Sequence, residues 1–166
     1  ETNPYGYQDH VHDKSQPENI AFLRRFRALL KEYGAHAAVG EVGDGDRSLK
    51  TVAEYTAGSD LLQMCYTFDL LGPEFSAKHL RKCIDVFETP GRDVWVCWSL
   101  SNHDVPRHPT RLTPKNGAPD RTARFAILLL AALRGSICLY QGEELGLEEA
   151  EIAYEDLRDP YGIRFW

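Results

Sequence analysis

Short apolar runs alternate with longer segments of helical period along this chain, and that alternation limits the possible fold more than any other feature of its sequence. After an aperiodic polar and aromatic stretch at 1–16, Pro17 opens "PENIAFLRRFRALLKEYG", in which Ile20, Phe22, Leu23, Phe26, Leu29 and Leu30 recur at helical spacing and Gly34 supplies a stop. "HAAVGEVG" is small and apolar up to Glu41, and a glycine-rich "GDGD" follows. "SLKTVAEYTA" reads as a second helix with Ser48 as its cap, and "LLQMCYTFDLL" as a strand-like run. "SAKHLRKCIDVFET" reads as a third helix closed by Pro90-Gly91, and the run from Val94 to Leu100 as a strand. A loop rich in proline and glycine spans Pro106 to Pro119; the very apolar "DRTARFAILLLAALRG" is then a fourth helix ending at Gly135, and "SICLYQGEELG" a last strand. Helix and strand thus alternate throughout, which predicts an α/β fold of about four parallel strands joined by helical crossovers. The strands are short and apolar, as in a sheet covered on both faces.

The polar residues of these strands gather at one end. The first strand finishes in Glu41, the second in Phe68-Asp69, the third in Asn102-His103-Asp104 and the fourth in Gln141-Gly142-Glu143-Glu144. In parallel α/β folds the C-terminal strand ends are where ligands bind, because the strand-to-helix loops converge there. A solvated strand end is the plainer explanation, so each residue has to be weighed. Glu41, half-buried beside Gly40, would suit a general acid, since burial raises a carboxyl pKa; the alternative is a charge-paired structural glutamate. His103 and Asp104 together could grip vicinal hydroxyls as donor and acceptor, or ligate a metal for which no further ligands are evident. Phe68 fits either the core or a sugar-stacking wall. Arg107 fits a carboxylate, the ligand or solvent. Glu143 and Glu144 face opposite ways if extended, which makes one of them structural. Asp44 and Asp46 lack the spacing of a calcium loop and read as solvated.

Composition narrows the partners. A chain of 166 residues, 43% hydrophobic, can bury the core of one domain. Its net charge of −6 comes with no basic run, which excludes a nucleic-acid footprint and favours an uncharged or cationic partner. The longest apolar stretch, "FAILLLAALRGSICLY", is interrupted by Arg134, Gly135 and Ser136, so no membrane span is expected, and a cytoplasmic location is. The opening without methionine reads as an excised piece. Cys65, Cys83, Cys97 and Cys138 show no CxxC pair and are expected to be reduced structural thiols. No GxSxG elbow, Walker A loop or GxGxxG occurs, which sets aside several nucleophilic and nucleotide-binding schemes. Two carboxylates and a His-Asp pair at the ligand end of a parallel sheet favour glycoside chemistry.

"VGEVG", "SNHDVPR" and "GSICLYQGEELGL" resemble, in order, three motif regions of glycoside hydrolase family 13, the α-amylase family. The opening "NPYGYQDHVHDKSQPEN" and the closing "EDLRDPYGIRFW" are more similar to its α-glucosidase and oligo-1,6-glucosidase branch than to true amylases. The resemblance covers essentially the whole chain. It implies a fragment of a TIM (β/α)8 barrel carrying the fifth to eighth strands over residues 1–166, without the N-terminal half-barrel and the C-terminal β-domain. By motif, Glu41 resembles the family's general acid/base, Asp104 its transition-state stabiliser and His103 its substrate-binding histidine. Phe68 falls where these glucosidases often place an aromatic wall beside the bound glucose, and Arg107 matches an arginine of the motif whose role is not fixed.

The family nucleophile, an aspartate in a "GFRxD"-like pattern, does not occur in this sequence. The resemblance therefore implies a parent protein that is a retaining α-glucosidase of short oligosaccharides, with the piece alone inactive and prone to self-association through open barrel edges. No cofactor and no metal are implied. A transglycosylase or a sucrose- or trehalose-converting enzyme shares these motifs. So does a non-catalytic barrel serving as a partner domain, although such a scaffold has no need of the set Glu41, His103 and Asp104.

Overall fold

The structure, a computed structural model, describes residues 7–34, 37–88 and 93–165. The expected helix stop at Pro90-Gly91, residues 3–6 of the opening motif, His36 and Trp166 lie outside the described residues.

Helix α1, Glu18–Glu32, follows Pro17 and ends at Tyr33, with Gly34 at φ +69° just beyond. Strand β1, Val39–Val42, is followed by α2, Ser48–Tyr55, and then by β2, Met64–Thr67. Helix α3, Ala77–Phe87, is capped by Ser76, whose hydroxyl accepts from the His79 N–H at 3.1 Å. Strand β3, Cys97–Trp98, leads to a short helix α4, His108–Leu112, then α5, Pro119–Ala132, and β4, Ser136–Ile137. A last short helix, α6, covers Pro160–Phe165.

Every strand pairing among the described residues is parallel. β1 lies beside β2 with Glu41 opposite Tyr66, β3 lies beside β4 with Cys97 opposite Ser136, and an isolated bridge from Cys65 to Val96 joins the two pairs. The predicted alternation of strands and crossovers is therefore present, but the ladders are shorter than the apolar runs. Only Cys97–Trp98 of the run from Val94 to Leu100 forms a strand, and only Ser136–Ile137 of the last one. The second run turns at Phe68 into a tight turn, Phe68–Leu70, because the Thr67 hydroxyl accepts from the Asp69 N–H.

Two expectations need correction. Ser48 is the first residue of α2 and not its cap; its hydroxyl accepts from the Asp44 N–H at 2.8 Å and fixes the preceding loop. The loop from Pro106 to Pro119 contains α4, which is too short to show a period and is held by tertiary bonds described below.

The core lies between the strands and their helices. Val52, Cys65, Cys83, Leu100, Ala126 and Leu130 are fully buried. Trp98 packs edge-on against Phe87 with ring centroids 5.6 Å apart, and its indole N–H donates to the Arg134 carbonyl at 2.8 Å. Gly135 turns α5 into β4 at φ +140°, where a Cβ would stand 2.6 Å from the Val96 carbonyl oxygen. Helix α5 is apolar beyond its buried stripe, and Phe125 and Leu128 are left exposed. No disulfide forms; Cys65, Cys83 and Cys97 are buried and Cys138 is exposed. Among the described residues no helix is long and apolar enough to cross a membrane.

Candidate active site

Parallel register builds the site. Opposed residues of β1 and β2 share a face of the sheet, so the Glu41–Tyr66 pairing sets a carboxylate beside a phenol, while Gly40 and Cys65 face the other way. Gly40 is required there, because a Cβ would come within 2.7 Å of the Cys65 Sγ and 2.8 Å of Leu62.

Two residues beyond Tyr66, Phe68 projects from the same end with its ring centroid 6.0 Å from that of Tyr66 and remains 39% exposed. It rests on Gly43, where a Cβ would stand 2.7 Å from the ring. Phe68 is thus a partly open aromatic wall, not a core residue. Glu41 is exposed, against the half-buried position expected of it, and borders a cleft of about 350 Å³ that also takes in Asp13, Lys14 and Asp44.

The third strand contributes its turn. Asn102 is 8% exposed, and its side-chain Oδ1 accepts from the Asp104 N–H at 2.9 Å, an Asx turn that presents His103 and Asp104 outward. Both are exposed, with the His103 Nε2 3.4 Å from an Asp104 oxygen. The amide Nδ2 of Asn102 is buried and has no partner at ordinary hydrogen-bond length.

Tyr66 lies opposite Glu41 on the neighbouring strand. Burial holds its phenol well above the ordinary tyrosine value, and the Glu41 carboxylate opposite adds to this. The Asn102 amide acts in the opposite sense, and the negative charge of Asp104 reinforces the first two. Glu41 from β1, Tyr66 from β2 and the Asn102–Asp104 turn after β3 therefore lie at the same end of neighbouring parallel strands.

Arg107 is placed differently. Its Nη1 donates to the Gln141 carbonyl at 2.6 Å, its backbone N–H to Glu149 at 2.9 Å, and its guanidinium lies 4.7 Å from the centre of the Tyr140 ring. It braces the end of the fourth strand. Glu143 is the structural member of its pair: fully buried, it accepts from the Tyr140 N–H at 2.7 Å and stands 2.7 Å from the His108 Nδ1. Glu144 is exposed. Asp44 is not a free loop acid, since its carboxylate accepts from the Thr51 hydroxyl at 2.9 Å. Among the described residues no group of three or more His, Cys, Asp or Glu could hold a metal ion.

Sequence reasoning missed Tyr66, His108 and Arg111. Arg111 is half-buried and donates to the carbonyls of Leu100 and Gly72, tying α4 to the third strand and to the loop after the second. Tyr66 had a signal, a hydroxyl in an apolar run two residues before Phe68. The partners of His108 and Arg111 are distant in sequence and gave none.

Residues 2–165 match the family described as "Alpha amylase, catalytic domain". A probable alpha-glucosidase of Rhizobium meliloti (strain 1021) is 49% identical over 165 residues, 99% of this chain and 30% of that protein. Maltase A1 of Drosophila melanogaster is 28% identical over 172 residues, covering 93% of this chain and 27% of its own length. The oligo-1,6-glucosidase IMA3 of Saccharomyces cerevisiae (strain ATCC 204508 / S288c) is 41% identical over 59 residues, 34% of this chain and 10% of its own. The chain spans about 30% of the length of the first of these relatives. With the match running from residue 2 to residue 165, the chain belongs to the alpha-amylase catalytic-domain family.

Proposed function

We propose that the protein containing this chain is a retaining α-glucosidase of short oligosaccharides, in which Glu41 is the general acid/base and Asp104 the transition-state stabiliser. The observation that supports this reading best is that Glu41 at the end of β1 and His103 and Asp104 in the turn after β3 are all exposed at the C-terminal ends of neighbouring parallel strands. Carboxylates able to reach one pyranose are what glycoside cleavage requires.

In this account the sugar stacks against Phe68. Asp104 and His103 take ring hydroxyls as acceptor and donor while positive charge develops at the anomeric carbon. Glu41 gives a proton to the departing oxygen and later takes one from water. The exposure of Glu41, His103 and Asp104 suits groups that must touch a ligand. The nucleophile, about 5 to 5.5 Å from the acid in a retaining enzyme, is assigned to a part of the protein outside these residues. The four parallel strands are assigned to the fifth to eighth of an eight-strand barrel, and the exposed Phe125 and Leu128 of α5 to surface that the rest of the protein covers.

The test is glucose release from maltose by the full-length protein. Turnover that falls by about 10²- to 10⁴-fold in Glu41→Gln supports the assignment; wild-type turnover unaffected by that substitution contradicts it.

A further inference from the structure

Phe68 and the His103–Asp104 turn stand at the ends of neighbouring strands, and the described backbone pairing between those strands stops short of both. β2 and β3 meet at the isolated bridge Cys65–Val96, and the strands themselves end at Thr67 and Trp98, before the site begins. One side chain spans the gap. Arg111, half-buried on α4, donates from its Nη1 to the Gly72 carbonyl and from its Nη2 to the Leu100 carbonyl. Further bonds carry each contact on to a functional side chain. On the β2 side, the Leu71 N–H closes the turn onto the Phe68 carbonyl at 2.9 Å, and the His79 Nε2 donates to the Asp69 carbonyl at 2.7 Å. On the β3 side, the Ser99 hydroxyl donates to the Ser101 carbonyl at 2.8 Å, and the Asn102 Oδ1 accepts from the Asp104 N–H at 2.9 Å.

We propose that Arg111 is a positioning residue for the sugar site: by bridging the Gly72 and Leu100 carbonyls it sets the separation between the Phe68 wall and the His103–Asp104 turn. This rests on the roles assigned to Phe68 and Asp104 above. A guanidinium is planar and carries its N–H donors in a fixed fork, so two carbonyls bound through its two terminal nitrogens are held at one distance from each other. A lysine in its place is a point of charge on a flexible stem and cannot reproduce that fork. A tie that served stability alone would fix either segment to the core; this one fixes the two segments to each other. The base from which Arg111 reaches is itself held, because the His108–Glu143 pair at 2.7 Å seats α4 against the end of the fourth strand. A sugar stacked on Phe68 and gripped by Asp104 needs both groups in place at once, and a misplacement of about 1 Å can cost about 10²-fold in rate.

The experiment is a double-mutant cycle on kcat/KM for maltose in the full-length protein, pairing Arg111→Lys with Phe68→Ala below the melting temperature of every variant. With Phe68 present, Arg111→Lys is expected to lower kcat/KM by about tenfold. In the Phe68→Ala background the same change is expected to lower it by less than about threefold, because the wall whose place Arg111 sets is gone. A mere loss of folded protein would take the same factor in both backgrounds. Equal factors in the two backgrounds, or no loss with Phe68 present, would overturn the positioning role. Arg111→Gln takes the place of Arg111→Lys if the latter is unfolded at the assay temperature; if neither folds, Arg111 is needed for the fold itself and the proposal is wrong. If Phe68→Ala alone leaves kcat/KM unchanged, the wall assignment fails and the positioning role falls with it.

Discussion

The imidazole Nδ1 of His108 stands 2.7 Å from the Glu143 carboxylate, and both side chains are completely shielded from solvent. The same carboxylate accepts from the Tyr140 N–H, while the His108 backbone N–H donates to Ser101. One buried pair thus ties α4 and the Ser101–Asp104 turn to the end of the fourth strand. Removing one partner strands the other in a dry site, which costs about 3 to 5 kcal/mol. Glu143→Ala is therefore expected to lower the unfolding free energy of the full-length protein by about that amount, read from urea unfolding. A change within about 0.5 kcal/mol would mean that the pair is not buried in solution.

Arg111 makes a related prediction. Burial lowers its pKa against the opposing influence of Glu143, and its guanidinium donates to two backbone carbonyls. Arg111→Met keeps most of the stem but leaves those carbonyls unpaired, with an expected destabilisation of about 1 to 3 kcal/mol. Thermal melting checks it.

At Gly43 the prediction concerns binding. A methyl group there would enter the Phe68 ring, whose nearest atom lies 2.7 Å from an ideal Cβ position. Gly43→Ala is expected to push the ring aside and raise KM for maltose several-fold with a smaller change in kcat, the pattern of lost uniform binding. Phe68→Ala should do the same more strongly. Equal falls in kcat and kcat/KM in both variants would place Phe68 in the chemical step instead.

The thiols offer a test of burial. Desolvation raises Cys65 to about 12, and Cys83 and Cys97 to about 11. A raised thiol pKa means that the reactive thiolate is scarce at pH 8 and grows only as pH climbs towards those values. Brief treatment of the native protein with iodoacetamide at pH 8, followed by peptide mass mapping, is expected to find Cys65, Cys83 and Cys97 unmodified and exposed Cys138 labelled ahead of them. Rapid labelling of Cys65 would contradict the packing of β2 against Gly40.

Much of this fold is legible in the sequence. Helical spacing located α1, α3 and α5 because each carries a full apolar stripe, and the position of Glu41, Phe68 and Asp104 at strand ends followed from the alternation itself. Strand lengths were not legible. Apolar residues such as Leu100 and Leu139 continue the runs past the points where neighbouring backbones stop pairing, and hydropathy does not record pairing. Nor could the sequence show that Arg107 is turned to Gln141, or that Glu143 and not Glu144 is buried, since both depend on contacts across 34 and 35 residues. The exposure of Glu41 differs from expectation for a local reason: the side chain leaves β1 on the open face opposite Gly40, whose side is filled by Cys65 and Leu62.

The most direct measurement is a crystal structure of the full-length protein with glucose bound. The account predicts one pyranose stacked on Phe68, with Glu41, His103 and Asp104 each placing a polar atom about 2.7 to 3.2 Å from it. A glucose seated elsewhere, or one that touches Glu41 while Asp104 points away beyond its reach, would contradict the convergence on which the assignment depends.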